Sequence, residues 1–158
     1  MNNFIELSEI KKASQLLKGV VIESPFQKIK SYSKKYNSNI FFKREDLQNV
    51  RSFKIRGAFN KIASLSKSQS INGLVCASAG NHAQGFAVSC TNFGYQGRVY
   101  MPKSTSNQKI EMVRKFGKNN IEIILFGENF SQAYKMALKD CHDHNKIFIH
   151  PFDDIKVI

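Results

Sequence analysis

Leu74-Val75-Cys76-Ala77-Ser78-Ala79-Gly80-Asn81-His82-Ala83-Gln84-Gly85 is an apolar run that breaks at a turn of small residues and resumes with helical spacing. Leu74 to Ala77 is too short for a buried helix and reads as a strand. Beyond it Ala83, Phe86, Ala87 and Cys90 recur on one helical face, and Gly94 supplies a stop after Phe93. The unit is strand, tight turn, helix. Because residues 77 to 80 are all small, a ligand can approach the backbone closely there. The helix start that follows offers unpaired N–H groups suited to an anion such as an amino-acid carboxylate.

The same alternation extends outward in both directions. Upstream, Asn39-Ile40-Phe41-Phe42 reads as a strand, and 53 to 65 as a helix carrying Phe53, Ala58, Phe59, Ile62 and Leu65. Downstream, Arg98 to Met101 is a strand closed by Pro102. Ser106 caps a helix with Ile110, Val113 and Phe116 that ends at Gly117. Ile121 to Phe126 is a strand ending at Gly127, Phe130 to His144 a helix, and Ile147 to Ile149 a last short strand before Pro151. Strands alternating with helices predict an α/β fold, a doubly wound parallel sheet with right-handed crossovers. Ligands of such sheets sit beyond the carboxyl ends of the strands, here the turns after Ala77 and Phe126. The first forty residues read differently: a helix capped by Ser8, running to Lys18 and stopped by Gly19, then a second helix over Gln27 to Tyr36. Ser64 to Ser70 reads as an exposed loop.

Composition narrows the class of protein. A chain of 158 residues suffices for one ordinary core, burying roughly 70% of its unfolded surface. No apolar run approaches the ~20 residues of a membrane span, and Met1 to Glu9 holds Glu6 and Glu9 with no signal core, which argues against secretion. Three cysteines (Cys76, Cys90, Cys141) without metal spacing read as reduced thiols of a cytoplasmic protein. The net charge of +12 is concentrated in residues 1–67, with 14 Lys/Arg against 5 Asp/Glu. Lysine outnumbers arginine 19 to 5 and is dispersed among Ser, Asn and Tyr, which argues against a nucleic-acid stripe. Cys141-His142-Asp143-His144 has metal-type side chains, but consecutive helical residues point in different directions, so no metal is expected there.

Ser52-Phe53-Lys54-Ile55-Arg56-Gly57-Ala58 places a lysine at a helix start. Alone, Lys54 reads as a surface lysine. The positive end of the helix dipole nevertheless favours the neutral amine needed to attack an aldehyde, and Phe53 offers an apolar wall. With Lys43-Arg44-Glu45-Asp46-Leu47-Gln48 upstream and Ser78 to Gly85 downstream, the set resembles the fold type II pyridoxal-phosphate enzymes, specifically the threonine and serine dehydratases. The resemblance implies pyridoxal 5'-phosphate as cofactor, with Lys54 as its Schiff-base lysine and the catalytic base. It implies Phe53 and Asn81 as further cofactor contacts, Asn81 at the phenolic oxygen. It implies Ser78, Ala79, Gly80, Asn81 and His82 around the substrate carboxylate. His82 itself reads as a residue packed near the turn, and His150 as structural.

The likeness runs on through Ser24-Pro25-Phe26, Met101-Pro102, Asn107 to Gly117 and His150-Pro151-Phe152-Asp153. The last of these, with Arg51, is most similar to the biosynthetic threonine dehydratases. The implied reaction is deamination of threonine to 2-oxobutanoate and ammonia in isoleucine biosynthesis. Cysteine and threonine synthases usually carry Asp where this chain has Ile55. Serine racemases usually carry a second serine where it has Ala79, which favours elimination over racemisation. The resemblance also implies a division into 1–45 as an arm of the large domain, 46–150 as the small domain, and 151–158 as the start of the return. The family's glycine-rich phosphate loop has no counterpart, since no glycine follows Gly127. The expectation is a truncated enzyme, inactive by itself, from a family that forms homo-oligomers. Two alternatives stand beside it: a serine dehydratase or serine racemase-like enzyme, and a non-catalytic small domain that binds a partner chain.

Overall fold

In the computed structural model, which describes residues 4–158, chain order begins α1 (Leu7–Leu16), β1 (Phe26–Lys28), α2 (Lys30–Lys35), β2 (Phe41–Lys43), α3 (Lys54–Ala63) and α4 (Lys67–Ser70). It continues β3 (Leu74–Ala77), α5 (Asn81–Phe93), β4 (Gly97–Met101), α6 (Asn107–Gly117), β5 (Ile121–Leu125), α7 (Phe130–Asp143) and β6 (Ile147–Phe148). The strand, turn and helix expected at 74–93 form with those bounds, and Gly94 ends α5 in the left-handed conformation at φ 69°.

Strands β5, β4, β3 and β6 form one parallel sheet in that order, with Leu74 opposite both Gly97 and Ile147. The central strand β3 is buried at all four residues. Its side chains divide by parity. Leu74 and Cys76 face a core of Ile62, Phe86, Cys90, Val99 and Val113 contributed by α3, α5, α6 and β4. Val75 and Ala77 face Tyr100, Ala133 and Ala137 on the α7 side. Helices therefore cover both faces, as right-handed crossovers require when the winding reverses after β5. That reversal puts β6 beside β3, and a crevice opens between the two loops that leave them.

A charged brace fixes α7 to the sheet. Arg98 on β4 binds Glu122 at 2.6 Å and the buried Asp140 at 2.8 Å, and Lys146 stands 3.6 Å from Asp140. Burial alone would raise the Asp140 carboxyl, but the charges of Lys146 and Arg98 override it and hold it below its ordinary value.

Outside the sheet the sequence reading needs correcting. Phe26 to Lys28 is a strand pairing antiparallel with β2, so the helix expected from Gln27 starts only at Lys30. Glu6, not Ser8, occupies the cap position of α1; Ser8 lies in its first turn and donates to Glu6 at 3.3 Å. Ser106 stands at the cap position of α6 without a side-chain capping bond. Ser64 to Ser70 is not a plain loop: Ser66 and Gln69 form a capping box that starts the short α4.

Candidate active site

Lys54 is the first residue of α3, and its placement is set by backbone contacts. A Cβ at Gly85 of α5 would lie 3.1 Å from the backbone of Lys54 and Ile55, so only a glycine lets the two helices meet this closely. On another side of α3, a Cβ at Gly57 would fall 2.1 Å from the Val157 carbonyl oxygen. The segment 151–158 thus lies across α3, held by Asn60 donating to Lys156 O at 2.8 Å and by Lys61 paired with Asp154 at 2.7 Å. Lys54 Nζ donates to the carbonyl oxygen of Pro151 at 2.7 Å, and sits 5.2 Å from the centroid of the exposed Phe53 ring.

The Ser78-to-His82 turn leaves β3 on the neighbouring lip of the crevice. Ser78 N–H extends the sheet to Tyr100 O, and Gly80 N–H donates to Ser78 Oγ at 3.2 Å. The N–H groups of Ala79, Asn81 and His82 have no intramolecular acceptor among the described residues. One donor of the five is taken by the sheet and one within the turn, which trims the set expected from the sequence. A Cβ at Gly80 would meet nothing within 4 Å, so the backbone there is open to a ligand. Ser78, Ala79 and Gly80 are half-buried and Asn81 is exposed.

His82 points the other way. Its ring is buried, and Nε2 lies 3.0 Å from the carbonyl oxygen of Ile149. Since a carbonyl only accepts, Nε2 carries the proton. Burial lowers the pKa of the imidazole to about 4, so the ring is neutral at physiological pH. Its Nδ1 is buried with no partner among the described residues, as is the hydroxyl of Ser52 two residues before Lys54. His150 closes the loop after β6 by accepting from the N–H groups of Phe152 and Asp153.

Sequence reasoning named Lys43 to Gln48 only as a motif; the structure gives it a bracing role. Lys43 Nζ donates to Ser24 O at 2.6 Å, and Gln48 binds both backbone groups of Ile22, at 3.0 and 2.9 Å. Glu45 receives Arg56 at 2.7 Å and the Ser24 hydroxyl, and its carboxyl is lowered chiefly by the Arg56 hydrogen bond. An S-P-F, K-R-E-D-L-Q and K-I-R-G pattern thus encodes one joint beneath the lysine. The Pro151 carbonyl was missed altogether, because a backbone acceptor leaves no mark on residue type.

An open groove of about 1260 Å³ runs between α1, α3 and 152–158, lined by Ile10, Leu17, Phe53, Lys54, Gly57 and Phe152 among others. None of residues 78–82 lines it, so it reaches the crevice only at Lys54. Among the described residues no group of three His, Cys, Asp or Glu is disposed to hold a metal ion, and no helix is long and apolar enough to cross a membrane. His144 instead pairs with Asp140 at 2.8 Å, and Asp143 with Lys139.

This arrangement suits one side of an aldehyde cofactor and its amino-acid substrate. An amine at the start of α3 and a turn with an open glycine and free N–H donors both reach the segment 149–151 at the carboxyl ends of a parallel sheet. The chain belongs to the pyridoxal-phosphate-dependent enzyme family, whose pattern matches residues 17–158. Among its relatives, the biosynthetic L-threonine dehydratase IlvA of Bacillus subtilis is 50% identical over 157 residues, covering 99% of this chain and 37% of that protein. The enzyme of the same name from Lactococcus lactis is 45% identical over 154 residues, 98% of this chain and 37% of that protein. The chain therefore spans little more than a third of these relatives. Of solved structures, the processed form of threonine deaminase isoform 2 from Solanum lycopersicum superposes with a TM-score of 0.85 at 34% identity, covering 98% of this chain and 43% of that one. Maize serine racemase superposes at 0.88 with 26% identity, 96% of this chain and 45% of that one.

Proposed function

We propose that the chain supplies the lysine-bearing part of the active site of a threonine dehydratase of the isoleucine pathway, acting in the cytoplasm. The remaining cofactor contacts would come from polypeptide beyond these residues, with 1–45 as an arm of a large domain, 46–150 as the small domain and 151–158 as the passage between them. The carrying observation is that Lys54 and His82 of the Ser78–His82 turn bond the carbonyl oxygens of Pro151 and Ile149, two residues apart on the segment that leaves β6. Racemases share the fold; Ala79 favours elimination, because its methyl group offers no base on the opposite face of the substrate.

Each residue then has a defined task. The N–H groups of Ala79, Asn81 and His82 receive the substrate carboxylate at the positive end of α5. Pyridoxal phosphate, when bound, supplies the electron sink that acidifies the substrate Cα–H and lets the β-hydroxyl depart. Lys54 Nζ is the attachment point for the cofactor aldehyde and accepts the proton from substrate Cα. Phe53 would exclude water from one side, and Asn81 would donate toward the phenolic oxygen of the cofactor. Loss of water leaves an enamine, which water hydrolyses to 2-oxobutanoate and ammonia.

Reductive trapping tests the assignment of Lys54. The chain is incubated with excess pyridoxal phosphate, reduced with borohydride and mapped by mass spectrometry. Lys54 should carry the dominant adduct. An adduct spread evenly over the 19 lysines would sink the reading. The same chain alone should form no 2-oxobutanoate from threonine, because no glycine-rich loop is available to hold the cofactor phosphate. Turnover abolished by Lys54→Ala would overturn that expectation.

A further inference from the structure

Two hydrogen bonds, one from each motif of the crevice, end on the same short segment. His82 Nε2 meets Ile149 O at 3.0 Å, and Lys54 Nζ meets Pro151 O at 2.7 Å. Ile149 is fully committed: its N–H donates to Val75 O at 2.8 Å and its carbonyl receives His82. From there the segment turns at once, locked by the two N–H groups that donate to His150 Nδ1. The direction of the Pro151 carbonyl therefore follows from where Ile149 is pinned. Leucine or phenylalanine would fill this buried place equally well, but neither could donate to the Ile149 carbonyl.

We propose that His82 is a positioning residue for the Lys54 amine. Its neutral Nε2–H holds the loop after β6 so that the Pro151 carbonyl receives the resting lysine at the mouth of the crevice. The substrate-side turn and the lysine helix are thereby registered to each other through a third element. Neither motif alone sets the distance between amine and carboxylate site. The inference takes its functional meaning from the reading of Lys54 as the cofactor lysine.

Competitive acetylation with a water-soluble ester, read by mass spectrometry, reports how firmly each lysine is held. In the 158-residue chain His82→Leu should raise the rate at Lys54 about tenfold, as expected for losing one hydrogen bond to a charged group, with exposed Lys103 and Lys139 unchanged. His82→Gln keeps a terminal N–H donor and should restore the wild-type rate. An unchanged Lys54 in a folded His82→Leu chain, or no restoration by His82→Gln, overturns the proposal. If His82→Leu fails to fold, all lysines rise together and wild-type NMR decides. A neutral Nε2–H ring from about pH 5 to pH 8 supports the bridge, whereas an Nδ1–H ring or one titrating in that range overturns it. Labelling reads where the amine rests and trapping reads what it captures, so each idea can fail without the other.

Discussion

The sheet unit from β3 to β6 and the region before residue 48 are built on different principles. In the first, β3 and the inner face of α5 are sealed between α3, α6, α7 and the neighbouring strands, and Phe86, Val75 and Cys76 lose all contact with solvent. In the second, α1 and α2 bury no residue, and all six residues of β1 and β2 are exposed. Phe26 and Phe41 stack on each other at 5.1 Å and remain 68% and 45% exposed. Apart from the buried Leu17, what holds that region is polar: the Gln48 bridge to Ile22, Lys43 and Glu45 on Ser24, and Lys156 on Glu9. Hydrophobic burial scales with area removed from water, so the two regions should respond oppositely to the same change.

Phenylalanine gives the largest contrast. Phe86→Ala should cost about 3–5 kcal/mol in urea unfolding. Phe41→Ser should leave stability within about 1 kcal/mol; the exposed apolar N-terminal face should also make the chain self-associate, and this substitution should reduce that association in sedimentation. A monodisperse wild-type monomer whose residues 5 to 42 resist hydrogen exchange would erase the contrast.

Acid comes next. The buried His82 is lowered from 6.5 to about 4, so between those values the unfolded chain binds the extra proton. Stability rises with pH through that window and is lost as pH falls from 6.5 toward 4, by about 3 kcal/mol in all. His82→Gln should flatten this slope. Glu45, lowered chiefly by Arg56, adds stability that is present above its ordinary 4.5 and is lost only in stronger acid. A joint between the regions that depends on Glu45 should therefore outlast the onset of His82 protonation.

Smaller effects test the polar ties. Gln48→Ala leaves the backbone groups of Ile22 unpaired and should cost about 1–3 kcal/mol, with faster hydrogen exchange confined to 20–25. Ser66→Ala removes the capping box of α4 and should cost about 1 kcal/mol, seen as exchange at Gln69 and Ser70 with the sheet untouched.

The same contrast explains what could be read in advance. Leu74–Ala77 and Asn81–Phe93 were legible because a buried strand and a helix packed against it must be apolar in their own period. Phe26–Lys28 carries no such period, since every residue is exposed and its strand character comes from pairing with Phe41–Lys43, a contact of distant sequence. The α4 helix was overlooked although Ser66-x-x-Gln69 is a written capping signal. In the crevice, Lys54 and the small-residue turn could be found by chemistry and spacing. The acceptor of that lysine could not: it is a main-chain oxygen 97 positions away, brought near by the order of the strands.

Gly57 and Gly85 have a consequence for how errors propagate through this molecule. Both let main chain rest on main chain along α3, so the origin of the lysine side chain is gauged by rigid surfaces with almost no slack. A methyl group at position 85 must displace the helix by a few tenths of an ångström, and Lys54 Cα would travel with it. The four-carbon stem can absorb such an offset at its tip; the bond from Pro151, already at 2.7 Å, has less room to follow. Substitution at Gly85 should therefore act as a small misalignment of the amine, whereas a side chain at Gly57, set 2.1 Å from the Val157 carbonyl oxygen, should push the 151–158 segment off α3.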